Sequence, residues 1–156
     1  MGLSFVLFTA LLATSLAKVV DIQKCDGVSD DVCAVTQVRM DPCKKASSCV
    51  FVKGGDANLD FDFTPNFVAS KLKTKVFWDN GVTDVPFDDM ESDDGCQYTQ
   101  CPTQAGTTQT LNYNLHIDKK TPKGKYLIKW KVWDEANDKQ VCCFKANIEI
   151  KKAKKK

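Results

Sequence analysis

The eight cysteines are the residues of this 156-residue chain whose type and spacing most directly suggest chemistry. Cysteines form disulfides, bind metals or carry out thiol redox reactions. Because the chain has no C-x-x-C pair and a single histidine, the spacing fits neither a zinc site nor a thioredoxin-like redox site. The even number instead favours four disulfides in a secreted protein. The eight residues are Cys25, Cys33, Cys43, Cys49, Cys96, Cys101, Cys142 and Cys143.

Two of the possible cysteine pairs would close short polar loops. Five residues separate Cys43 from Cys49, and four separate Cys96 from Cys101, so either pair could bring its sulfurs together locally. Eight cysteines allow many pairings, and the spacing alone leaves the complete connectivity open.

The other reactive side chains form no recognisable catalytic arrangement. His116 is predicted on the polar side of its strand, and Asp60 and Asp62 are interpreted as outward, solubilising carboxylates. The chain has no G-x-S-x-G turn and no glycine-rich phosphate loop. The acidic run before Gly95 fails as an EF-hand loop, since Met90 would occupy its first ligand position. We therefore expect a protein that is not an enzyme and uses no cofactor or metal.

The composition excludes several other classes of protein. Charged residues make up 27% of the chain and hydrophobic residues 43%, which is typical of a globular domain and not of a disordered chain or a coiled coil. The 22 Lys and Arg against 20 Asp and Glu give a net charge of only +2, too small for the basic field of a nucleic-acid-binding protein. We expect one monomeric domain that does not bind nucleic acid.

Residues 1–17 have the pattern of a cleaved secretory signal. An apolar run of about ten residues is followed by small residues at Ser15 and Ala17, which favours cleavage before Lys18. The run is shorter than the ~20 residues that a membrane-spanning helix needs, which argues against the alternative of a membrane anchor. A buried N-terminal helix is the other alternative. The segment predicts a secreted protein of the extracellular space or the endolysosomal lumen.

Apolar and polar residues alternate with a period of two through most of the mature chain, which predicts β-strands. In residues 57–63, for example, Leu59, Phe61 and Phe63 share one face. Asn80 and Gly81 favour a tight hairpin turn between strands at residues 71–78 and 82–87. Further strands are predicted at residues 34–40, 50–52, 111–117, 126–132 and 144–150, the last after a polar turn at 135–139. About seven strands and no helix predict an all-β, two-sheet antiparallel sandwich.

Five motifs occur in a characteristic order along this pattern. They are Asp41-Pro42-Cys43, the hairpin end Asp84-Val85-Pro86-Phe87, the segment from Asp94-Gly95-Cys96 to Cys101-Pro102, the strand Lys129-Trp130-Lys131-Val132, and a cysteine opening the last strand. In these motifs the chain resembles the ML (lipid-recognition) domain family, which includes Niemann–Pick type C2 sterol carriers and group 2 mite allergens. The resemblance covers residues 20–150. It divides the chain into a signal (1–17), an ML domain (18–150) and a basic tail (151–156).

The resemblance implies an immunoglobulin-like sandwich held by disulfides. The implied family pairs are Cys43–Cys49, Cys96–Cys101 and a link from the N-terminal segment to the last strand, for which Cys25–Cys143 is the best match. Cys33 and Cys142 depart from the family pattern and would form a fourth link. The swapped pairs, Cys25–Cys142 with Cys33–Cys143, remain an alternative.

The resemblance also implies that inward side chains hold an apolar lipid, such as a sterol or fatty acid, between the sheets. The candidate lipid-binding residues are Leu59, Phe61, Phe63, Val76, Trp78, Phe87, Tyr113, Leu115, Tyr126, Ile128, Trp130, Val132, Phe144 and Ile148. The same residues would equally fill a plain sandwich core. As pocket walls their aromatic polar atoms can lie near the mouth, whereas in a core they need buried partners.

Two charged segments bear on the expected partner. In sterol-carrying relatives the loop matching residues 86–95 is apolar and helps pass the lipid to a membrane partner. Here the loop is acidic, which argues against that partner, although Phe87 and Met90 could gate a pocket. The tail at residues 151–156 is either a solvated terminus or a site of attraction to anionic membranes. The alternatives to a lipid carrier are a protein of innate immunity that presents bacterial lipid to a receptor and a plain structural module.

Overall fold

The computed structural model describes residues 17–87 and 90–154. The predicted signal therefore lies outside the described residues except for Ala17, as do Asp88, Asp89 and the last two lysines of the tail. Within the described part, no helix is long and apolar enough to cross a membrane, and a single 3-10 turn spans Gly95–Gln97. The strands are β1 (Lys18–Val19), β2 (Gln23–Lys24), β3 (Cys33–Asp41), β4 (Cys49–Val52), β5 (Asp56–Pro65), β6 (Leu72–Asp79), β7 (Asp84–Pro86), β8 (Gln109–His116), β9 (Gly124–Asp134) and β10 (Asn137–Lys151).

These strands form two sheets, which confirms the predicted all-β, immunoglobulin-like sandwich. One sheet has four strands in the order β1-β3-β5-β8, and the other has the order β2-β10-β9-β6-β7 with β4 also paired to β10. The β4–β10 pairing is parallel, while the other pairings are antiparallel. Each predicted strand segment has a counterpart among β3 to β10, and the expected total of about seven is too low because β1 and β2 have two residues each, too few to show a period of two.

Two predicted turns differ from those in the structure. The Asn80-Gly81 turn is wider than a two-residue hairpin, because the Asn80 side chain accepts hydrogen bonds from the backbone N–H of Val82 and of Thr83. The first register pair of β6 and β7 is consequently Asp79 with Asp84. The polar turn predicted at residues 135–139 is shorter than expected, since β10 already begins at Asn137.

All eight cysteines are paired, in the bonds Cys25–Cys143, Cys33–Cys142, Cys43–Cys49 and Cys96–Cys101. Strand alternation explains how the adjacent Cys142 and Cys143 choose different partners. Side chains two residues apart share a face, so Cys142 lies on the same face as the buried Phe144 and bonds to Cys33 of the opposite sheet. Cys143 faces outward and bonds to Cys25, which follows β2 at the edge of its own sheet.

Candidate functional site

The structure buries twelve of the fourteen candidate lipid-binding residues and leaves two at one end of the sandwich. The twelve, each at most 9% exposed, are Leu59, Phe61, Phe63, Val76, Phe87, Tyr113, Leu115, Ile128, Trp130, Val132, Phe144 and Ile148. Tyr126 is half-buried and Trp78 is 37% exposed. Thirteen of the fourteen, all except Phe87, are expected between the sheets, and this expectation is corrected for Trp78. It keeps the inward phase of β6, but it lies one residue from the end of that strand, beside the hairpin turn.

Aromatic rings fill the centre of the space between the sheets. The ring of Phe61 lies 5.0 Å from Phe144, 5.7 Å from Phe63 and 5.9 Å from Trp130, measured between centroids. The indole N–H of Trp130 donates a 2.8 Å hydrogen bond to Oγ1 of Thr74, and both residues are fully buried. Because Trp130 has the buried partner that a core residue requires, we interpret it as part of the packed centre.

An apolar pocket of about 540 Å³ lies at the end of the sandwich where the β6–β7 hairpin meets the β8–β9 loop. This volume is within the ~300–1,000 Å³ of ordinary small-molecule sites. We call it the end pocket. It is lined on the hairpin side by Trp78, Val85, Pro86 and Phe87, and on the other side by Asp118, Lys120, Thr121, Pro122 and Tyr126.

Tyr126 joins the two sides of the end pocket. Its ring lies edge-on to Trp78 at 5.3 Å and to Phe87 at 5.7 Å between centroids. Its hydroxyl donates a 2.7 Å hydrogen bond to the carbonyl of Pro122. The polar atom of Tyr126 therefore lies beside an exposed loop, as expected of a residue in a pocket wall.

Sequence reasoning missed most of the β8–β9 side of the end pocket. Asp118, Lys120 and Thr121 belong to a loop without alternation, so no period marked them as pocket residues. Val85 and Pro86 were noticed as part of a motif, but a strand pattern does not say which residues will face a loop from a distant part of the chain.

Part of the acidic loop is anchored to the sandwich. The backbone N–H of Glu91 donates a 3.1 Å hydrogen bond to the hydroxyl of buried Tyr113, and Asp93 accepts from Lys73 at 3.1 Å. Met90 is partly buried and packs against the core. Gating by Phe87 and Met90 remains a prediction.

The single histidine and the paired carboxylates lie on the outer face of the four-stranded sheet. Nδ1 of His116 lies 2.7 Å from Asp56 at an exposed position. Asp62 accepts two hydrogen bonds from the Arg39 guanidinium, at 2.7 and 2.9 Å. Hydrogen bonding to Arg39 lowers the pKa of Asp62 to about 2. These contacts give both groups a structural role across the strands.

Comparison with known proteins matches this architecture. A model of the ML domain matches residues 19–150. An MD-2-related lipid-recognition protein of Manduca sexta is 46% identical over 152 residues, covering 97% of this chain and 99% of that protein. A mite group 2 allergen of Tyrophagus putrescentiae is 27% identical over 149 residues, covering 96% of this chain and 99% of the allergen.

A solved structure shows the same fold. The crystal structure of a Niemann-Pick type C2 protein from the Japanese carpenter ant superposes with a TM-score of 0.72 at 20% identity, covering 84% of this chain and 99% of the ant protein. The domain model covers residues 19–150, and the alignment with the Manduca sexta protein covers 97% of the chain. The chain therefore belongs to the ML domain family.

Proposed function

We propose that this protein is a secreted carrier that binds an apolar lipid of the sterol or fatty-acid class without altering it chemically. The observation that carries the proposal is the end pocket, an apolar space of about 540 Å³ with three aromatic rings in its wall. The 46% identity to a protein described as a lipid-recognition protein supports the same function.

The end pocket suits an amphiphile with its apolar part inside. Trp78, Phe87 and Tyr126 offer ring surfaces, whereas Lys120 and Asp118 are exposed at the opening. Covering ~300 Å² of apolar ligand surface would contribute about 7 kcal/mol at ~25 cal/mol per Å², before the cost of association. In this arrangement the rings hold the lipid body and the polar end of the lipid stays in water.

Lysines around the end pocket support a membrane as the source or destination of the lipid. Within residues 17–87 and 90–154, none of the four lysines between residues 119 and 125 forms an ion pair. Lys151, where the tail begins, lies close by, because the Lys53 N–H donates to the Lys151 carbonyl at 2.9 Å and Gly124 pairs with Ile150. A basic cluster gains ~1 kcal/mol per lysine near an anionic surface. These lysines are Lys119, Lys120 and Lys123 of the β8–β9 loop and Lys125 at the start of β9, and Lys120 lines the end pocket.

A second candidate function is recognition of bacterial lipid on behalf of an immune receptor. It is favoured by the identity to the MD-2-related lipid-recognition protein. Both functions need a bound lipid, so they differ in the lipid and in the partner that receives it.

The test is made on the expressed, purified protein and has two parts. Extraction of one sample with organic solvent identifies any lipid already bound, and native mass spectrometry of a second sample measures the uptake of added lipid. A competition panel of cholesterol, oleic acid and lipopolysaccharide separates the carrier, which should prefer the first two, from the immune protein, which should prefer the third. Recovery of no lipid, together with no uptake of any panel member, would contradict both lipid-binding functions and leave a plain structural module as the remaining interpretation.

A matched pair of variants locates the bound lipid. Val85→Asp places a charge in the wall of the end pocket at a residue that is 38% exposed, whereas Val68→Asp does so outside the pocket at a residue that is 66% exposed. Lipid uptake should fall at least tenfold in the first variant, since an unpaired charge is costly to bury, and should be unchanged in the second. Equal lipid uptake by the two variants would contradict binding of the lipid in the end pocket.

A further inference from the structure

Six charged side chains form a connected cluster on the outer face of the six-stranded sheet. Asp84 accepts hydrogen bonds from Nζ of Lys129 at 2.5 Å and of Lys131 at 2.9 Å. Asp79 lies 2.9 Å from Nζ of Lys145 and 3.5 Å from Nζ of Lys129. Asp26 accepts from Lys145 at 3.0 Å. We call Asp26, Asp79, Asp84, Lys129, Lys131 and Lys145 the outer-face cluster.

The centre of this cluster is shielded from water more than an ordinary surface ion pair. The side chains of Asp79, Lys145 and Lys129 are only 10%, 11% and 15% exposed. Exposed pairs contribute little because water and salt screen them and because ordering two long side chains costs entropy. Here the neighbouring strands already hold the side chains, and each lysine has at least one carboxylate partner.

The cluster connects the β6–β7 hairpin to the middle of the sheet. Asp79 and Asp84 are register partners at the base of the hairpin, while Lys129 lies on β9 and Lys145 on β10. In the part of the chain that the structure describes, strand β7 has only three residues and pairs with β6 alone. Its backbone ladder is therefore short, and the ion pairs add contacts that reach past β6 to two further strands.

The opposite side of the same hairpin forms one wall of the end pocket. Neighbouring side chains of a strand point to opposite faces, so Trp78 follows the phase opposite to Asp79, and Val85 the phase opposite to Asp84. Trp78 and Val85 both line the end pocket. Any movement of the hairpin away from the sheet would therefore shift this wall relative to Tyr126 and the β8–β9 loop.

We propose that the outer-face cluster positions the wall of the end pocket and thereby sets how fast a bound lipid is released. Asp79 and Asp84 are the positioning residues; neither is proposed to touch the lipid. The inference rests on the proposed lipid-binding function. Hydrogen bonding to Lys145 lowers the pKa of Asp79 from 3.8 to about 2, so the carboxylate stays ionised and paired in mildly acidic as well as neutral solution.

The decisive variant is Asp79→Asn. Asparagine retains the side-chain oxygen that accepts the 2.9 Å hydrogen bond from Gly81 N–H, so the turn keeps its acceptor while the charge is lost. The matched control is Asp62→Asn on the other sheet. It likewise removes a carboxylate whose pKa is about 2, and it breaks a pair with Arg39 that is far from the hairpin in the fold.

The measurement is stopped-flow transfer of cis-parinaric acid, a fluorescent fatty acid, from the protein to excess phosphatidylcholine vesicles. We expect release from Asp79→Asn to be about three- to tenfold faster than from wild type, and release from Asp62→Asn to be unchanged. Lys145→Met should accelerate release to a similar degree, and combining it with Asp79→Asn should add little, because both remove the same contact. Asp84→Asn is a second variant, with its own lysine partners, should Asp79→Asn fail to fold.

The possible results separate the two proposals. Wild-type protein that takes up probe, with the same release rate in the cluster variants and in Asp62→Asn, would overturn the positioning role and leave the lipid-binding function standing. Wild-type protein that takes up neither the probe nor any lipid of the competition panel would overturn both. An unfolding midpoint measured for every variant shows whether faster release merely follows lost stability, since Asp62→Asn should be destabilised to a comparable extent.

Discussion

Replacing Trp78 with alanine tests whether the lipid is held in the end pocket. A tryptophan side chain presents up to ~250 Å², so its 37% exposed fraction is roughly 90 Å² of ring surface available to a ligand. At ~25 cal/mol per Å², covering that surface contributes about 2 kcal/mol, or about a 30-fold change in Kd. The variant should bind cis-parinaric acid about 30-fold more weakly, measured by fluorescence titration, while losing about 2 kcal/mol of unfolding free energy.

Trp130→Phe is the contrasting variant, since Trp130 is fully buried. It loses the hydrogen bond to Thr74, worth about 1 kcal/mol, and leaves a small cavity that costs another ~1–2 kcal/mol. Urea unfolding should therefore show a loss of unfolding free energy at least as large as that of Trp78→Ala, whereas the Kd for cis-parinaric acid should change by less than about threefold. The reverse ranking, with Trp130→Phe abolishing binding and Trp78→Ala leaving it intact, would refute our reasoning and place the lipid between the sheets.

Three further predictions concern stability, each measured by urea unfolding. Replacing Cys33 and Cys142 together with serine should cost about 3 kcal/mol, because with Cys25–Cys143 intact the second bond closes a ring of only about ten residues; a cost near 5 kcal/mol would mean that the two bonds act independently. Gly95→Ala should lose about 1–3 kcal/mol, because its Cβ would lie 2.9 Å from Cβ of Leu72, whereas Gly124→Ala, with contacts of 3.6 Å or more, should be nearly neutral. Since the pKa of Asp62 is lowered from 3.8 to about 2 in the folded state, its ionisation stabilises the protein above about pH 4, and this contribution is lost as the pH falls toward 2. Asp62→Asn should therefore be less stable than wild type near neutral pH and approach it below pH 2; a constant difference across that range would contradict the assignment.

The sequence predicted the sheets better than it predicted the pocket. Alternation at Leu59, Phe61 and Phe63 identified a buried strand face, because the period of a strand is a local property. It also gave Trp78 the correct face, but it does not tell how far the opposing layer extends, so the exposure of Trp78 was missed.

The rest of the end pocket depends on parts of the chain that only the tertiary structure brings together. The loop from Asp118 to Pro122 faces Val85 across a gap that no local pattern encodes. The choice between Cys142 and Cys143, in contrast, follows from alternation, since Phe144 marks the inward face. The sequence contained that signal, although the spacing of the cysteines alone did not reveal it.

The position of β10 after the other nine strands in chain order has a consequence for biosynthesis. This last strand pairs with β2, β4 and β9, and through its two cysteines it holds Cys25 and Cys33. Cys25 and Cys33 cannot form these bonds until residues 142 and 143 have been synthesised, whereas Cys43–Cys49 and Cys96–Cys101 can oxidise soon after they emerge from the ribosome. A nascent chain that stalls before residue 142 would carry two unsatisfied thiols and an incomplete six-stranded layer, a state prone to mispairing and aggregation.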